Sequence, residues 1–142
     1  MASSGKAIGR GMMRTMVWLY RRSGGKIAGT MRGAPVLLIT TTGRRSGQPW
    51  TTPVIYQPDG DGWVVIASNG GNAKHPGWWL NLRKHPDATI EIGRDTHPVT
   101  ARATEGDDRE RLWQKMVGVY AGYDAYTKKT TRRIPVVKLD RR

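Results

Sequence analysis

The chain has no cysteine and no phenylalanine, and its acidic residues are few. The absence of cysteine among 142 residues excludes disulfides, thiolate metal ligands and a cysteine nucleophile. Asp and Glu number 11 against 24 Lys and Arg, which leaves a formal net charge of +13. A surplus of this size indicates an anionic partner, and charge alone does not choose between nucleic acid, anionic lipid and a multiply charged cofactor. The aromatic residues are six Trp and five Tyr, which suit a site with one apolar and one polar side.

A long hydrophobic run is also missing. No uncharged apolar stretch is long enough to span a bilayer. Charges at Lys6, Arg10 and Arg14 interrupt the N-terminal region, so no signal peptide is predicted and we expect a cytoplasmic protein. Residues 1–25 are interpreted as a tail followed by an amphipathic helix, and residues 26–142 as a single domain.

The predicted N-terminal helix covers residues 8–22. Its apolar residues recur at helical spacing: Ile8, Met12, Met16 and Leu19. Arginines fall on another face of the same helix. The pattern fits a helix packed on the core, and it also fits a basic helix lying peripherally on an anionic membrane surface.

A glycine-bounded basic turn, Gly43–Pro49, separates the apolar runs Pro35–Thr42 and Thr51–Tyr56. The glycines allow a sharp turn, and two arginines and a serine bring several hydrogen-bond donors into a small space. Arginine forks suit phosphate and carboxylate oxygens, so this turn predicts an anion-binding loop for a phosphorylated ligand. The alternative is a solvated hairpin turn, because short motifs often occur by chance.

The remaining pattern predicts a protein that is mainly β. Six short strands are predicted: Pro35–Thr42, Thr51–Gln57, Trp63–Ser68, Ala88–Ile92, His97–Ala103 and Ile134–Leu139. One short helix is expected to begin at Pro76, and a second over 105–119 with Thr104 as its cap. Many short strands with few helices favour an antiparallel barrel with flanking helices. The basic turn joins two strands, so it is not a P-loop or a dinucleotide-binding fingerprint.

Catalysis by protein groups alone finds little support. His75, His85 and His97 are each followed by proline, and none has the spacing of a metal site, so we predict no bound metal. The acidic residues are scattered and give no carboxylate pair. An enzyme with this sequence would therefore depend on a bound cofactor.

A tyrosine cluster, Tyr120, Tyr123 and Tyr126, lies near the C-terminus. Spacing of three places the rings roughly on one face of a helix. They form either a stripe facing the core or the wall of a pocket that donates hydrogen bonds to a substrate oxygen.

The order of these motifs resembles the deazaflavin-dependent nitroreductase family of actinobacteria, over about residues 18–137. Besides the tyrosines, the matching segments are Leu38–Pro49, Ala67–Gly71, His75–Leu82 and Ile134–Val137. The resemblance implies a small split β-barrel that uses the reduced deazaflavin coenzyme F-420. It also implies hydride transfer to an electron-poor acceptor such as a quinone, an enone or a nitroaromatic. This coenzyme carries a phosphodiester and an oligoglutamate tail, which agrees with the basic composition.

The resemblance also implies roles for individual residues. Cofactor binding is implied for Arg44, Arg45, Ser46, Gly47, Pro53, Val54, Ala67, Ser68, Asn69, Trp79 and Asn81. The arginines and the serine would hold the phosphate, and the proline and valine would lie beside the deazaflavin ring. The three tyrosines would form the catalytic, substrate-facing side. The prototype of the family has a lysine where this chain has Asn69, which removes one cationic contact.

Two alternatives remain open from the sequence. The same barrel could use FMN, which has one phosphate and no glutamate tail. A basic barrel could instead bind anionic lipid, fatty acid or nucleic acid without catalysis. We expect a small-molecule acceptor and no nucleic acid partner, and both a monomer and a homodimer fit the sequence.

Overall fold

The computed structural model describes residues 10–71 and 73–142, so the predicted tail and the first two residues of the predicted helix lie outside the described residues. The strands are β1 Thr30–Met31, β2 Ala34–Thr42, β3 Pro49–Asp59, β4 Gly62–Ile66, β5 Asp87–Ile92, β6 Asp95–Ala103 and β7 Val136–Arg141. The helices are α1 Arg10–Ser23, α2 Gly77–Lys84, α3 Gly106–Val117 and α4 Gly122–Tyr126, and a short 3-10 turn covers Asn69–Gly71. None of the helices in the described residues is long and apolar enough to cross a bilayer.

The strands close into an antiparallel barrel because β2 pairs on both of its edges. The sheet runs β2-β3-β4-β7-β6-β5 and returns to β2, with β1 added as a short hairpin arm. Leu38 lies opposite Pro53 on one side and Glu91 on the other, which fixes the register of the closure. Full closure leaves few free strand edges. The predicted fold class, a mainly β antiparallel split barrel with flanking helices, is confirmed.

The core consists of two apolar layers that share strand β2. Leu37 and Ile39 point into the barrel interior, whereas Val36 and Leu38 point outward beneath the helices. Alternate residues face opposite sides of a strand, and here both sides are covered. Strand β2 is therefore buried on both faces.

Helix α1 packs on the outer layer through a face different from the predicted stripe. Val17 and Tyr20 are buried, whereas Met12 is 61% exposed. The Tyr20 hydroxyl accepts the Gly93 N–H at 2.9 Å and lies 3.0 Å from the Val36 carbonyl oxygen. This anchor sets the rotation of the helix, which spacing alone could not predict.

Several predicted boundaries were wrong for local reasons. Strand β3 runs through two prolines to Asp59, so the turn after it is shorter than expected. Thr104 does not cap α3, because its hydroxyl donates to the Val136 carbonyl oxygen at 2.9 Å and ties the loop to β7. Glu105 holds the cap position without a side-chain hydrogen bond.

Candidate active-site cleft

A cleft of about 1060 Å³ opens beside the barrel. Its walls come from the β2–β3 turn, strand β3, the loop after β4, the start of α2 and the helix α4. Among the described residues that line it, four are cationic and none is acidic; the cations are Arg32, Arg44, Arg45 and Lys129. An elongated anionic ligand fits this donor set.

One end of the cleft, here called the cationic end, is the predicted basic turn. The Gly43 N–H donates to the Gln48 carbonyl oxygen at 2.8 Å, and the Gly47 N–H donates to the Gly43 carbonyl oxygen at 2.9 Å. A Cβ at Gly43 would lie 2.6 Å from Ser46 Oγ, and Gly47 has φ 72°. Both glycines are therefore required by the turn that presents Arg44 to the cleft.

Buried Asn81 fixes the cationic end to helix α2. Its Oδ1 accepts the Arg44 backbone N–H at 3.1 Å and the Arg44 Nη1–H at 3.0 Å, and its Nδ2 donates to Thr41 Oγ1 at 3.0 Å. Lys84 Nζ donates to the Arg44 carbonyl oxygen at 3.0 Å. Asn81 thus holds the turn in place and acts through Arg44.

The start of α2 contributes to the same end of the cleft. Pro76 precedes the helix and Gly77 is its first residue, and both line the cleft. A Cβ at Gly77 would lie 3.9 Å from Arg44 Nη1. The positive end of the helix dipole therefore adds to the arginine charges.

The floor of the cleft is the middle of β3. Thr52, Pro53 and Val54 all line it. Thr52 Oγ1 is buried and has no hydrogen-bond partner among the described residues. An unpaired buried hydroxyl is costly, so a hydroxyl in this wall is suited to pair with a bound ligand. Nothing in the sequence distinguishes Thr52 from the other threonines of this strand, so it was not among the predicted site residues.

The opposite end, here called the tyrosine end, contains the three predicted rings. Their centroids are 5.0, 5.9 and 6.1 Å apart, and Tyr120 Oη lies 2.8 Å from Tyr126 Oη. Tyr120 precedes the short helix α4, so the predicted single helical face was wrong. The rings converge because Tyr120 folds over Gly122, where a Cβ would lie 2.2 Å from the Tyr120 ring.

The hydroxyls of Tyr123 and Tyr126 are neutral at physiological pH. Burial raises the pKa of Tyr123 well above its ordinary value. Burial and the hydrogen bond with Tyr120 raise the pKa of Tyr126 to about 12. A phenol whose pKa is raised stays protonated and keeps its hydrogen to donate.

Two cations flank the tyrosines. The Arg32 guanidinium carbon lies 5.5 Å from the Tyr120 ring centroid, and Lys129 Nζ lies 5.4 Å from the Tyr126 ring centroid. Both distances suit cation–π contacts. The sequence did not single out these two cations.

The structure brings most of the predicted site residues into the cleft. The lining ones are Arg44, Arg45, Ser46, Pro53, Val54, Ser68, Asn69, Asn81, Tyr120, Tyr123 and Tyr126. Three predicted residues do not line it: Gly47 shapes the turn, and Ala67 and Trp79 are buried in the barrel interior. Trp78 lines the cleft in place of Trp79 because of the rotation of α2.

A smaller groove of about 610 Å³ continues from the cleft along α1. It shares Met13, Pro49 and Trp50 with the cleft and adds Arg14 and Trp18 of the helix, among others. The groove therefore combines apolar and basic side chains at the mouth of the cleft.

Comparison with known proteins gives consistent matches. A family model described as F-420H(2)-dependent quinone reductase matches residues 12–140. An F-420H(2)-dependent quinone reductase of Mycobacterium tuberculosis is 40% identical over 139 residues, covering 95% of this chain and 93% of that protein. A solved F-420-H2 dependent reductase, FDR-A, is 36% identical with a TM-score of 0.69, covering 75% of this chain and 94% of that one. A structure described as a domain-swapped dimer is 30% identical with a TM-score of 0.72, covering 89% and 95%.

Proposed function

The chain belongs to the F-420H(2)-dependent quinone reductase family, and from this membership we propose that its cleft binds reduced coenzyme F-420 beside a quinone acceptor. The chain is an F-420-dependent oxidoreductase. The observation that carries the site assignment is the charge of the cleft, whose described lining residues include four cations and no acid. Enones and nitroaromatics stay predicted acceptors.

The proposed orientation follows from the difference between the two ends. Arg44, Arg45 and Ser46 would hold the phosphodiester, because guanidinium groups donate in the geometry that phosphate oxygens accept. Pro53 and Val54 would pack against the ring, with the Thr52 hydroxyl available to one of its polar atoms. The acceptor would then lie toward the tyrosine end.

The bound coenzyme supplies a hydride, so the chain itself needs no nucleophile. Reduction of a quinone to a hydroquinone takes up one hydride and one proton, and negative charge grows on a quinone oxygen as the hydride arrives. A hydrogen bond from the Tyr126 hydroxyl would stabilise that charge. The same hydroxyl would then transfer its proton to the quinone oxygen. Tyr120, 2.8 Å away between the hydroxyl oxygens, would return the proton to Tyr126.

The test is a fluorescence titration of the purified chain with oxidised coenzyme F-420, with FMN in parallel. Arg44→Ala/Arg45→Ala should weaken F-420 binding by about 100-fold or more, because two charge-assisted contacts are lost. Arg102→Ala/Arg133→Ala removes the same charge from two exposed ion pairs outside the cleft and is the matched control. Equal affinities in the two double variants would contradict the site, and binding of FMN alone would contradict the cofactor.

We further propose that α1 contacts an anionic membrane surface. Met12, Trp18 and Ile27 are exposed to 61%, 61% and 52%, and Arg14 and Arg22 line the groove together with Trp18. Exposed apolar side chains beside arginines suit the headgroup region of a bilayer. We expect the unmodified chain to sediment with anionic vesicles and not with neutral ones, and we expect Trp18→Ala to lose this binding. Equal binding of the unmodified chain and Trp18→Ala to anionic vesicles would contradict the proposal.

The oligomeric state stays a prediction. A structural relative is described as a domain-swapped dimer, and both a monomer and a homodimer fit this chain.

A further inference from the structure

One arginine outside the cleft lining ties together two segments of the cleft wall. Arg132 Nη1 donates to the Ala67 carbonyl oxygen at 3.1 Å, and Arg132 Nη2 donates to the Ser68 carbonyl oxygen at 2.7 Å. Arg132 Nη1 also lies 2.9 Å from His75 Nδ1. The guanidinium therefore joins the loop after β4 to the residues that lead into α2.

Both of these segments shape the cleft. Ser68, Asn69 and Gly70 line it on one side, and Pro76 and Gly77 line it next to the cationic end. Arg132 is not a lining residue, so it reaches these segments from behind. In sequence, Arg132 lies between the tyrosine end and β7. Arg132 therefore also connects the segment that follows the tyrosines to the loop after β4.

The loop after β4 has a backbone that needs such a restraint. Asn69, Gly70 and Gly71 have φ values of 49°, 64° and 81°, three successive residues in the left-handed region. Only glycine adopts that region freely, and asparagine tolerates it. A hydrogen bond from the Gly71 N–H to the Ser68 carbonyl oxygen, 2.9 Å long, holds the turn on the same carbonyl that Arg132 binds.

The hydrogen bond between Arg132 and His75 requires a neutral imidazole. Arginine only donates, so His75 Nδ1 must carry a lone pair and the ring proton must be on Nε2. Burial lowers the pKa of His75, and the positive charges of Arg132 and Arg83 lower it further. The neutral form is therefore the one that the structure favours near pH 7.

We propose that Arg132 is a positioning residue of the coenzyme site, which it orders through the carbonyl oxygens of Ala67 and Ser68 and through His75. The inference rests on the proposed function for the identity of the ligand. A lysine could not replace this arginine, because a single ammonium cannot reach the three acceptors in the planar geometry of a guanidinium.

The first measurement needs no coenzyme. Amide hydrogen exchange in residues 67–71 should become at least about tenfold faster in Arg132→Lys and Arg132→Ala than in the unmodified chain, because the loop opens locally. Arg133→Ala is the matched control, since Arg133 is the next residue and pairs with Glu105 at the surface. Unchanged exchange in Arg132→Lys would overturn the inference, and this variant serves if Arg132→Ala fails to fold.

The second measurement is coenzyme F-420 affinity as a function of pH. We expect roughly tenfold weaker binding in Arg132→Lys at neutral pH and native affinity in Arg133→Ala. In the unmodified chain, affinity should fall as His75 gains a proton below neutrality and repels Arg132. His75→Asn offers an oxygen near the Nδ1 position, and this oxygen does not titrate. The coenzyme affinity of this variant should therefore not fall as the pH drops below neutrality.

The two possible failures are distinguishable. An identical pH profile in His75→Asn and the unmodified chain, or native affinity in Arg132→Lys, would overturn the inference. If the unmodified chain itself failed to bind the coenzyme, the loss would be common to every variant and would overturn the proposed function.

Discussion

The two ends of the cleft are built in different ways. The cationic end is a turn between neighbouring strands, held by backbone hydrogen bonds and by buried Asn81. The tyrosine end is a loop and a helix of five residues, held by ring contacts and by one bond between hydroxyl groups. One end presents two arginines on a rigid turn, and the other presents phenol hydroxyls whose rings are flanked by Arg32 and Lys129. This division predicts that changes at the cationic end alter coenzyme affinity, whereas changes at the tyrosine end alter turnover.

Among single substitutions, the largest effect is expected at Asn81. Asn81→Ala leaves the Arg44 backbone N–H and Thr41 without their partner in a buried place, which should lower the free energy of unfolding by about 1–3 kcal/mol. Coenzyme affinity should fall roughly tenfold or more with it. Thermal unfolding and the fluorescence titration measure the two effects.

Asn81→Asp separates these effects. A carboxylate still accepts both Arg44 hydrogen bonds, and the Thr41 hydroxyl can turn to donate to its second oxygen, so stability should stay within about 1 kcal/mol of the unmodified chain. The added negative charge lies beside the proposed phosphate site and should weaken coenzyme binding about tenfold. Native affinity in this variant would contradict the placement of the anion.

A smaller effect, on turnover, is expected at the tyrosine end. Tyr126→Phe removes the hydroxyl that is proposed to face the acceptor, and kcat with a quinone should fall by about tenfold. Coenzyme affinity should stay within about twofold of its original value, since no contact of the cationic end changes.

Tyr56→Phe is the control for that substitution, because Tyr56 packs against the barrel interior and does not line the cleft. It should leave kcat unchanged. If Tyr126→Phe weakened coenzyme binding and left kcat intact, the assignment of the two ends would be reversed.

The same contrast explains what the sequence could predict. The arginines and serine of the basic turn line the cleft as expected, because a strand–turn–strand is encoded within a few neighbouring residues. Trp78 lines the cleft where Trp79 was expected, and the three tyrosines meet without sharing one helical face, because both arrangements depend on how a short helix packs against the barrel. Arg32 was missed because it reaches Tyr120 from a distant part of the chain, and Lys129 because a lysine three residues after Tyr126 resembles ordinary surface charge. Tertiary packing, which local pattern does not report, decides these positions.

The smallest predicted effect tests the floor between the two ends. Thr52 Oγ1 is buried without a partner, so Thr52→Val, which has nearly the same shape, should raise the free energy of unfolding by roughly 1 kcal/mol. If the hydroxyl pairs with the bound coenzyme, the same variant should bind it about threefold to tenfold more weakly. Thr51→Val is the control, because Thr51 Oγ1 lies 2.7 Å from Thr40 Oγ1 and its loss should destabilise the fold. If Thr52 binds the coenzyme, Thr52→Val should be more stable than the unmodified chain and should bind the coenzyme more weakly. Higher stability with unchanged coenzyme binding would show that Thr52 does not contact the coenzyme.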